Sequence, residues 1–176
     1  MGLPGAGKST VLSAADGSGY KMQNYGTLML EIAKEKCKIT GRDSLRTLTP
    51  KEQSAVQEAV GKMLAKEKGK LLLDTHCSIN TPSGYLPGLP YSLLKNWDVE
   101  RLVLITAPIA DIMARRQKDS TRTRDMQNEE SLAEHERMNL AYLAAYSALS
   151  GAPATIIVNR NGGLDEARAK FLSLLK

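Results

Sequence analysis

Apolar and polar positions along the chain switch between a helical period and short unbroken apolar runs. In "TLMLEIAKEKC" (27–37) the apolar residues fall at helical spacing, with Leu28, Ile32 and Cys37 inward. Helix is also predicted over 7–15. "TPKE" (49–52) reads as a helix start, with Thr49 as cap, Pro50 in the first turn and Glu52 three residues on. That helix is expected to run through Val56, Val60 and Met63 to about Lys68, stopped by Gly69. Further helices are predicted from Pro108 to about Lys118, over about 128–149 before Gly151, and over 165–176. The unbroken runs read as strands. "YKMQNYG" (20–26) is a short one, "KLLLDT" (70–75) and "RLVLITA" (101–107) look buried and parallel, and "ATIIVN" (154–159) is the last. "TPSGYLPGLP" (81–90), with three prolines, is expected to hold no regular structure.

Helices and strands therefore alternate, which predicts an α/β domain with a mostly parallel sheet. No linker or repeat divides the 176 residues, and residues 1–176 are expected to form one domain. Only an opening strand is lacking from the alternation. Apolar residues make up 42% and charged residues 24%, ordinary for a soluble globular protein. No run approaches the roughly 20 apolar residues of a membrane span. Cys37 and Cys77 form neither a disulfide framework nor a metal pattern, which fits a cytoplasmic protein with reduced thiols. The net charge of +5 allows nucleic acid or phosphorylated small molecules as partners. "RRQKDSTRTR" concentrates Arg115, Arg116, Arg122 and Arg124 without interleaved aromatics, so a compact polyphosphate fits better than a polymer.

The chemistry begins at "MGLPGAGKST". Gly2, Gly7, Lys8 and Ser9 satisfy G-x-x-x-x-G-K-[ST], the phosphate-binding Walker A loop. In such a loop, backbone N–H groups curl around a phosphate and the helix that follows adds positive potential. Lys8 would reach the β- and γ-phosphates, and the Ser9 or Thr10 hydroxyl would reach Mg²⁺. Asp74 ends an expected parallel strand, on the ligand-binding edge of such a sheet, where it could hold Mg²⁺. Arg115 and Arg116 suit a helix C-terminus, whereas Arg122 and Arg124 fall in a loop where they could neutralise a moving phosphoryl group. Arg42 and Arg46 lie four apart, on one face if helical. His76 has no assignment from composition alone.

Taken in order, "GLPGAGKST", "YKMQNYGT", "RDSLRTLTP", "DTHCSINTPSGYLPGLP", "RRQKDSTRTRD" and "EHERMN" resemble the archaeal-type adenylate kinases over nearly the whole chain. The resemblance implies ATP + AMP ⇌ 2 ADP with Mg²⁺ on the triphosphate. It also implies a P-loop kinase fold with sheet order 2-3-1-4-5, and a homotrimer. It places Gly2, Pro4, Gly5, Ala6, Gly7, Lys8, Ser9 and Thr10 around ATP, with Ser9 and Asp74 at the metal. It places Thr27, Arg42, Arg46 and His76 around AMP within a part spanning about 24–90. Arg116, Arg122 and Arg124 join Lys8 as catalytic groups, the arginines on a short lid over about 116–127. Neither a membrane nor nucleic acid is an expected partner.

The chain departs from relatives in places. Ile32 and Ser78 stand where bacterial and animal enzymes carry AMP arginines, so Arg42, Arg46 and His76 are the candidates here. Leu140 stands where an archaeal arginine is expected, with Arg137 three residues earlier as a substitute. Two other classes compete: a different small-molecule P-loop kinase, and a non-catalytic nucleotide- or RNA-associated protein. In the order 2-3-1-4-5 the lacking strand is the central one. Its absence would leave a gap with two unpaired strand edges, and about six to ten residues are expected before Met1.

Overall fold

The computed structural model describes residues 1–41, 44–45, 48–81, 84–118 and 128–176. Two pairs of parallel strands form its centre. Strand β1 (Lys21–Asn24) pairs with β2 (Leu71–Asp74), with Asn24 opposite Asp74. A hairpin, β3 (Ser78–Thr81) with β4 (Gly84–Pro87), follows. Then β5 (Leu102–Thr106) pairs in parallel with β6 (Ala154–Val158). Among the described residues, β2 and β5 do not pair with each other. Met1 lies on the inner edge of β5: its nitrogen donates to the Val103 carbonyl at 2.8 Å, and its carbonyl accepts from the Ile105 amide at 2.8 Å.

The helices are α1 (Lys8–Leu12), α2 (Tyr25–Cys37), α3 (Pro50–Leu64), α4 (Tyr91–Leu94), α5 (Ile109–Lys118), α6 (Glu129–Ser150) and α7 (Leu164–Ser173). Side chains alternate across β5, and the two faces find different partners. Ile105 packs with Val11, Ile157 and Phe171, joining β5 and β6 to α1 and α7. Leu102 and Leu104 pack with Leu143 and Tyr146 of α6 on the other face. Helices thus cover both faces, as the alternation of elements predicts. A separate apolar cluster joins α2 to α3 through Leu28, Met29, Ala33, Val56 and Val60. No helix among the described residues is long and apolar enough to cross a membrane.

The helix start at Thr49 forms as a full capping box. The Thr49 hydroxyl accepts from the Glu52 amide at 3.3 Å, and the Glu52 carboxylate accepts from the Thr49 amide at 2.9 Å. Three expectations need correction. Helix α3 ends at Leu64, short of Lys68, and Leu64 is buried while Met63 turns outward. Strand β2 is half-buried along its whole length, because a slot rather than a strand flanks its inner edge. Residues 81–90, expected to be irregular, contribute β4, and α4 follows from Pro90. Proline withholds only a donor, and Pro87 sits at the end of the hairpin ladder, opposite Ser78, where that loss is tolerated.

Helix α6 holds the hairpin through polar groups. The Asn139 side-chain carbonyl accepts from the Ser78 amide (3.1 Å) and hydroxyl (2.7 Å). Tyr142 donates to the Tyr85 carbonyl at 2.6 Å, and Tyr146 donates to the Cys77 carbonyl at 2.7 Å. Burial pushes the Tyr146 phenol up to about 12, so it stays a donor throughout the physiological range. Gly88 closes the turn by lying on the backbone of His76 and Cys77, between β2 and β3. A Cβ there would come within 1.9 Å of the His76 carbonyl oxygen. Gly88→Ala is therefore expected to lower the thermal midpoint by about 5 °C or more, read by circular dichroism. An unchanged midpoint would show that the turn relaxes freely.

Candidate active site

The phosphate loop spans from Met1, on β5, to α1. Gly7 caps the helix in the left-handed region (φ 81°), and a Cβ there would clash with the side-chain Nδ2 of Asn159. Glycine is thus required both by conformation and by space. The loop's carbonyls are drawn to one side. Arg116 Nε donates to the Pro4 carbonyl at 2.8 Å, and Asn159 Nδ2 donates to the Ala6 carbonyl at 2.9 Å. Arg115 reaches the Gly5 and Ala6 carbonyls at 3.5 and 3.4 Å. The same guanidinium holds the Asn159 carbonyl (2.9 Å) and the Asn161 side chain (2.8 Å). Asp111 at the start of α5 completes the brace by accepting from the Asn161 amide at 2.8 Å. A loop held by its carbonyls is preorganised before any phosphate arrives.

At the other end of the loop, Lys8 forms an ion pair with Asp74. Both side chains are only 14% exposed, so the pair is held in a partly desolvated place where it counts for more than a surface bridge. Asn24 Nδ2 donates to the second Asp74 oxygen at 2.9 Å. The Asn24 side-chain carbonyl in turn accepts from the Thr27 amide (3.0 Å) and hydroxyl (3.2 Å). The parallel register sets this geometry, since Asn24 and Asp74 end neighbouring strands side by side. The carboxyl ends of parallel strands are where α/β folds bind ligands.

The structure therefore joins Lys8, Asp74 and Thr27 through Asn24. Ser9 and Thr10 are exposed in the first turn of α1. His76 is exposed two residues beyond Asp74, with its carbonyl under Gly88. Arg137 and Leu140 are both exposed on α6. Arg42, Arg46, Arg122 and Arg124 lie outside the described residues. Sequence reasoning missed Asn24, Asn159, Asn161 and the role of Arg115. Asn24 carried a usable signal, since it precedes Thr27 by three residues in capping position. Arg115 was hidden by its sufficient explanation as a helix-end charge.

Among the described residues, no three His, Cys, Asp or Glu side chains gather as a metal cage. One carboxylate and a nearby hydroxyl still suit Mg²⁺, which commonly takes one or two protein ligands and completes its shell with phosphates and water. Asp74, ion-paired with Lys8, and Ser9, the residue after Lys8, are the candidates for that donor set.

Comparison with known proteins identifies the family. A family model described as an AAA domain matches residues 1–133. The adenylate kinase of Methanocaldococcus jannaschii is 41% identical, covering 100% of this chain and 96% of that protein. Those of Methanopyrus kandleri (41%) and Thermoplasma volcanium (40%) each cover 99% of this chain, and 95% and 97% of the respective relatives. The chain belongs to the archaeal-type adenylate kinase family. It is a nucleoside monophosphate kinase, a phosphotransferase. A solved shikimate kinase from Acinetobacter baumannii, in complex with shikimate, shares the fold, with TM-score 0.59 and 20% identity over 99% of this chain and 89% of that one.

Within this adenylate kinase, Arg115 ties three segments distant in sequence. Arg115→Ala is expected to lower kcat/KM for ATP by about 10²-fold, because a loop displaced by about 1 Å misplaces the phosphate. Steady-state assays with ATP varied would read this. A loss under threefold would show that Asn159 and Arg116 hold the loop unaided.

Proposed function

We propose that the chain catalyses reversible transfer of the terminal phosphoryl group of ATP to AMP, giving two ADP. The observation that carries this reading is the unbroken run of contacts from Lys8 through Asp74 and Asn24 to Thr27. It couples the phosphate loop to the threonine that the family resemblance places beside AMP. Phosphoryl transfer asks mainly for in-line positioning and charge neutralisation.

ATP lies in the loop of Gly2, Pro4, Gly5, Ala6, Gly7, Lys8, Ser9 and Thr10. Its phosphates draw Lys8 away from Asp74 and free that carboxylate. Mg²⁺ would be held by Asp74 and Ser9 and would supply charge neutralisation on the triphosphate. AMP is oriented by Thr27, His76, Arg42 and Arg46, within residues about 24–90 of a single 1–176 domain. Arg116, already on the loop, acts with Arg122 and Arg124 of the lid (about 116–127), whose closure excludes water as a competing acceptor. The enzyme works in the cytoplasm as a homotrimer. Ile156 and Val158, 40% and 43% exposed on β6, offer apolar surface that assembly would cover.

A panel of AMP, CMP, UMP and GMP with ATP tests the reading. AMP is expected to give a kcat/KM at least about 10²-fold above the others. Preference for another acceptor would overturn the AMP assignment, and ATP binding without ADP formation would overturn catalysis.

A further inference from the structure

Strand β1 passes into α2 without a loop. Asn24 is both the last residue of the strand and the N-cap of the helix, in extended conformation, and Tyr25 opens the helix. A displacement at the strand end therefore reaches the first helical turn directly. The Asn24 side chain binds in both directions. Its Nδ2 donates to Asp74 Oδ2 at 2.9 Å, and its Oδ1 accepts from the Thr27 amide and hydroxyl at 3.0 and 3.2 Å. Capping alone needs only an oxygen, which serine or aspartate supplies about as well as asparagine. Of the three, only asparagine adds an N–H donor beside that oxygen, so only it can cap α2 and hold Asp74 at once.

The other Asp74 oxygen is held by Lys8. The carboxylate thus stands between a cation from the phosphate loop and an amide from α2. While Lys8 neutralises Asp74, Asn24 donates to one half of an ion pair. Once Lys8 turns to a bound triphosphate, Asn24 donates to an uncompensated carboxylate that is only 14% exposed. Hydrogen bonds to ionised groups are roughly twice as strong as neutral ones. A side-chain amide that donates more strongly at nitrogen also accepts more strongly at oxygen, because hydrogen bonds in a chain polarise one another. The bonds from Thr27 to Asn24 should tighten in turn.

We propose that Asn24 is a positioning residue that relays occupancy of the phosphate loop to Thr27. Departure of Lys8 from Asp74 strengthens the Asn24 bridge and fixes the first turn of α2. The consequence for turnover rests on the reading above, in which Thr27 lies beside AMP. Triphosphate in the loop then orders the acceptor side in advance, and the second ligand meets a smaller ordering cost.

The test reads the Thr27 amide by hydrogen exchange in NMR spectra of the parent chain, Lys8→Met, Asn24→Ser and the double variant. Lys8→Met removes the cation and imitates its departure. Asn24→Ser keeps a capping oxygen but ends where the Asn24 Cγ sits, one bond short of Asp74. Lys8→Met is expected to slow exchange at Thr27 about threefold or more against the parent, and by less than about 1.5-fold when added to Asn24→Ser. Saturating AMP-PNP, a non-hydrolysable triphosphate, added in EDTA should likewise slow Thr27 in the parent and leave it unchanged in Asn24→Ser. The amide of Ala33, buried in the middle of α2, should respond in neither arm. Equal slowing with and without Asn24, slowing shared by Ala33, or absence of slowing in either arm overturns the proposal. Should Asn24→Ser give no cooperative melt, Asn24→Asp takes its place, since aspartate caps α2 but offers Asp74 no donor. None of these readouts uses AMP, so failure of the relay and failure of the AMP assignment are told apart.

Discussion

Lys8→Ala is expected to reduce phosphoryl transfer from ATP to AMP by about 10²–10³-fold or more while the fold persists. In the proposed mechanism Lys8 is the cation that the loop presents to the terminal phosphates, and in the free protein it is paired with Asp74. Its removal acts in two ways. Charge developing on the transferred group loses its fixed counter-charge, and Asp74 loses its ion-pair partner while keeping Asn24. Unpairing a partly buried carboxylate destabilises, but Asp74 is 14% exposed and still hydrogen-bonded, so a cooperative melt should survive. Lys8→Met, which keeps the bulk of the side chain, separates the two effects: it should lose turnover as fully and stability no more. Activity within tenfold of the parent in either variant, with an intact melt, would remove Lys8 from the mechanism.

The second large effect is a rise of stability with pH. In the 176-residue chain, with Met1 as its terminus, the ammonium ordinarily titrates at 8.0, but burial, helped by the charge of Lys8, lowers it to about 5 in the folded state. Between those values the unfolded chain binds a proton that the folded chain does not. The contribution is fully present above pH 8 and is lost as pH falls toward 5. Three pKa units correspond to about 4 kcal/mol across that window. His135 is buried as well, and its lowered affinity for protons acts with the same sign. Comparison with the Nα-acetylated chain isolates Met1, because acetylation leaves His135 and removes the ammonium. Denaturant melts at pH 5, 6, 7 and 8 should show a slope that is much shallower in the acetylated chain. Identical slopes would show that the ammonium stays solvated.

Much of the fold was legible because its signals are local. The capping box at Thr49 needs only residues within one turn, and it forms as read. The loop "GLPGAGKST" likewise carries its chemistry in consecutive residues, and Gly7 takes the left-handed conformation such a loop demands. The order of helices and strands follows from periodicity, and with it the two-sided covering of β5. The hairpin was not legible. Its prolines argued against any ladder, and what stabilises it is Asn139, Tyr142 and Tyr146 on a helix 57 to 69 residues away in sequence.

The site divides in the same way. By itself the sequence determined which groups could hold a triphosphate, namely the glycines, Lys8, the neighbouring hydroxyls and a strand-end acid, because those requirements are met by short spacings. Only the tertiary structure decided that Asn24 bridges Asp74 to Thr27, and that Arg115 grips the back of the loop from 110 residues away. Periodicity reports which side chains share a face of one element. It does not report the register in which two strands meet or the carbonyl at which an arginine arrives, because those depend on how separate elements pack.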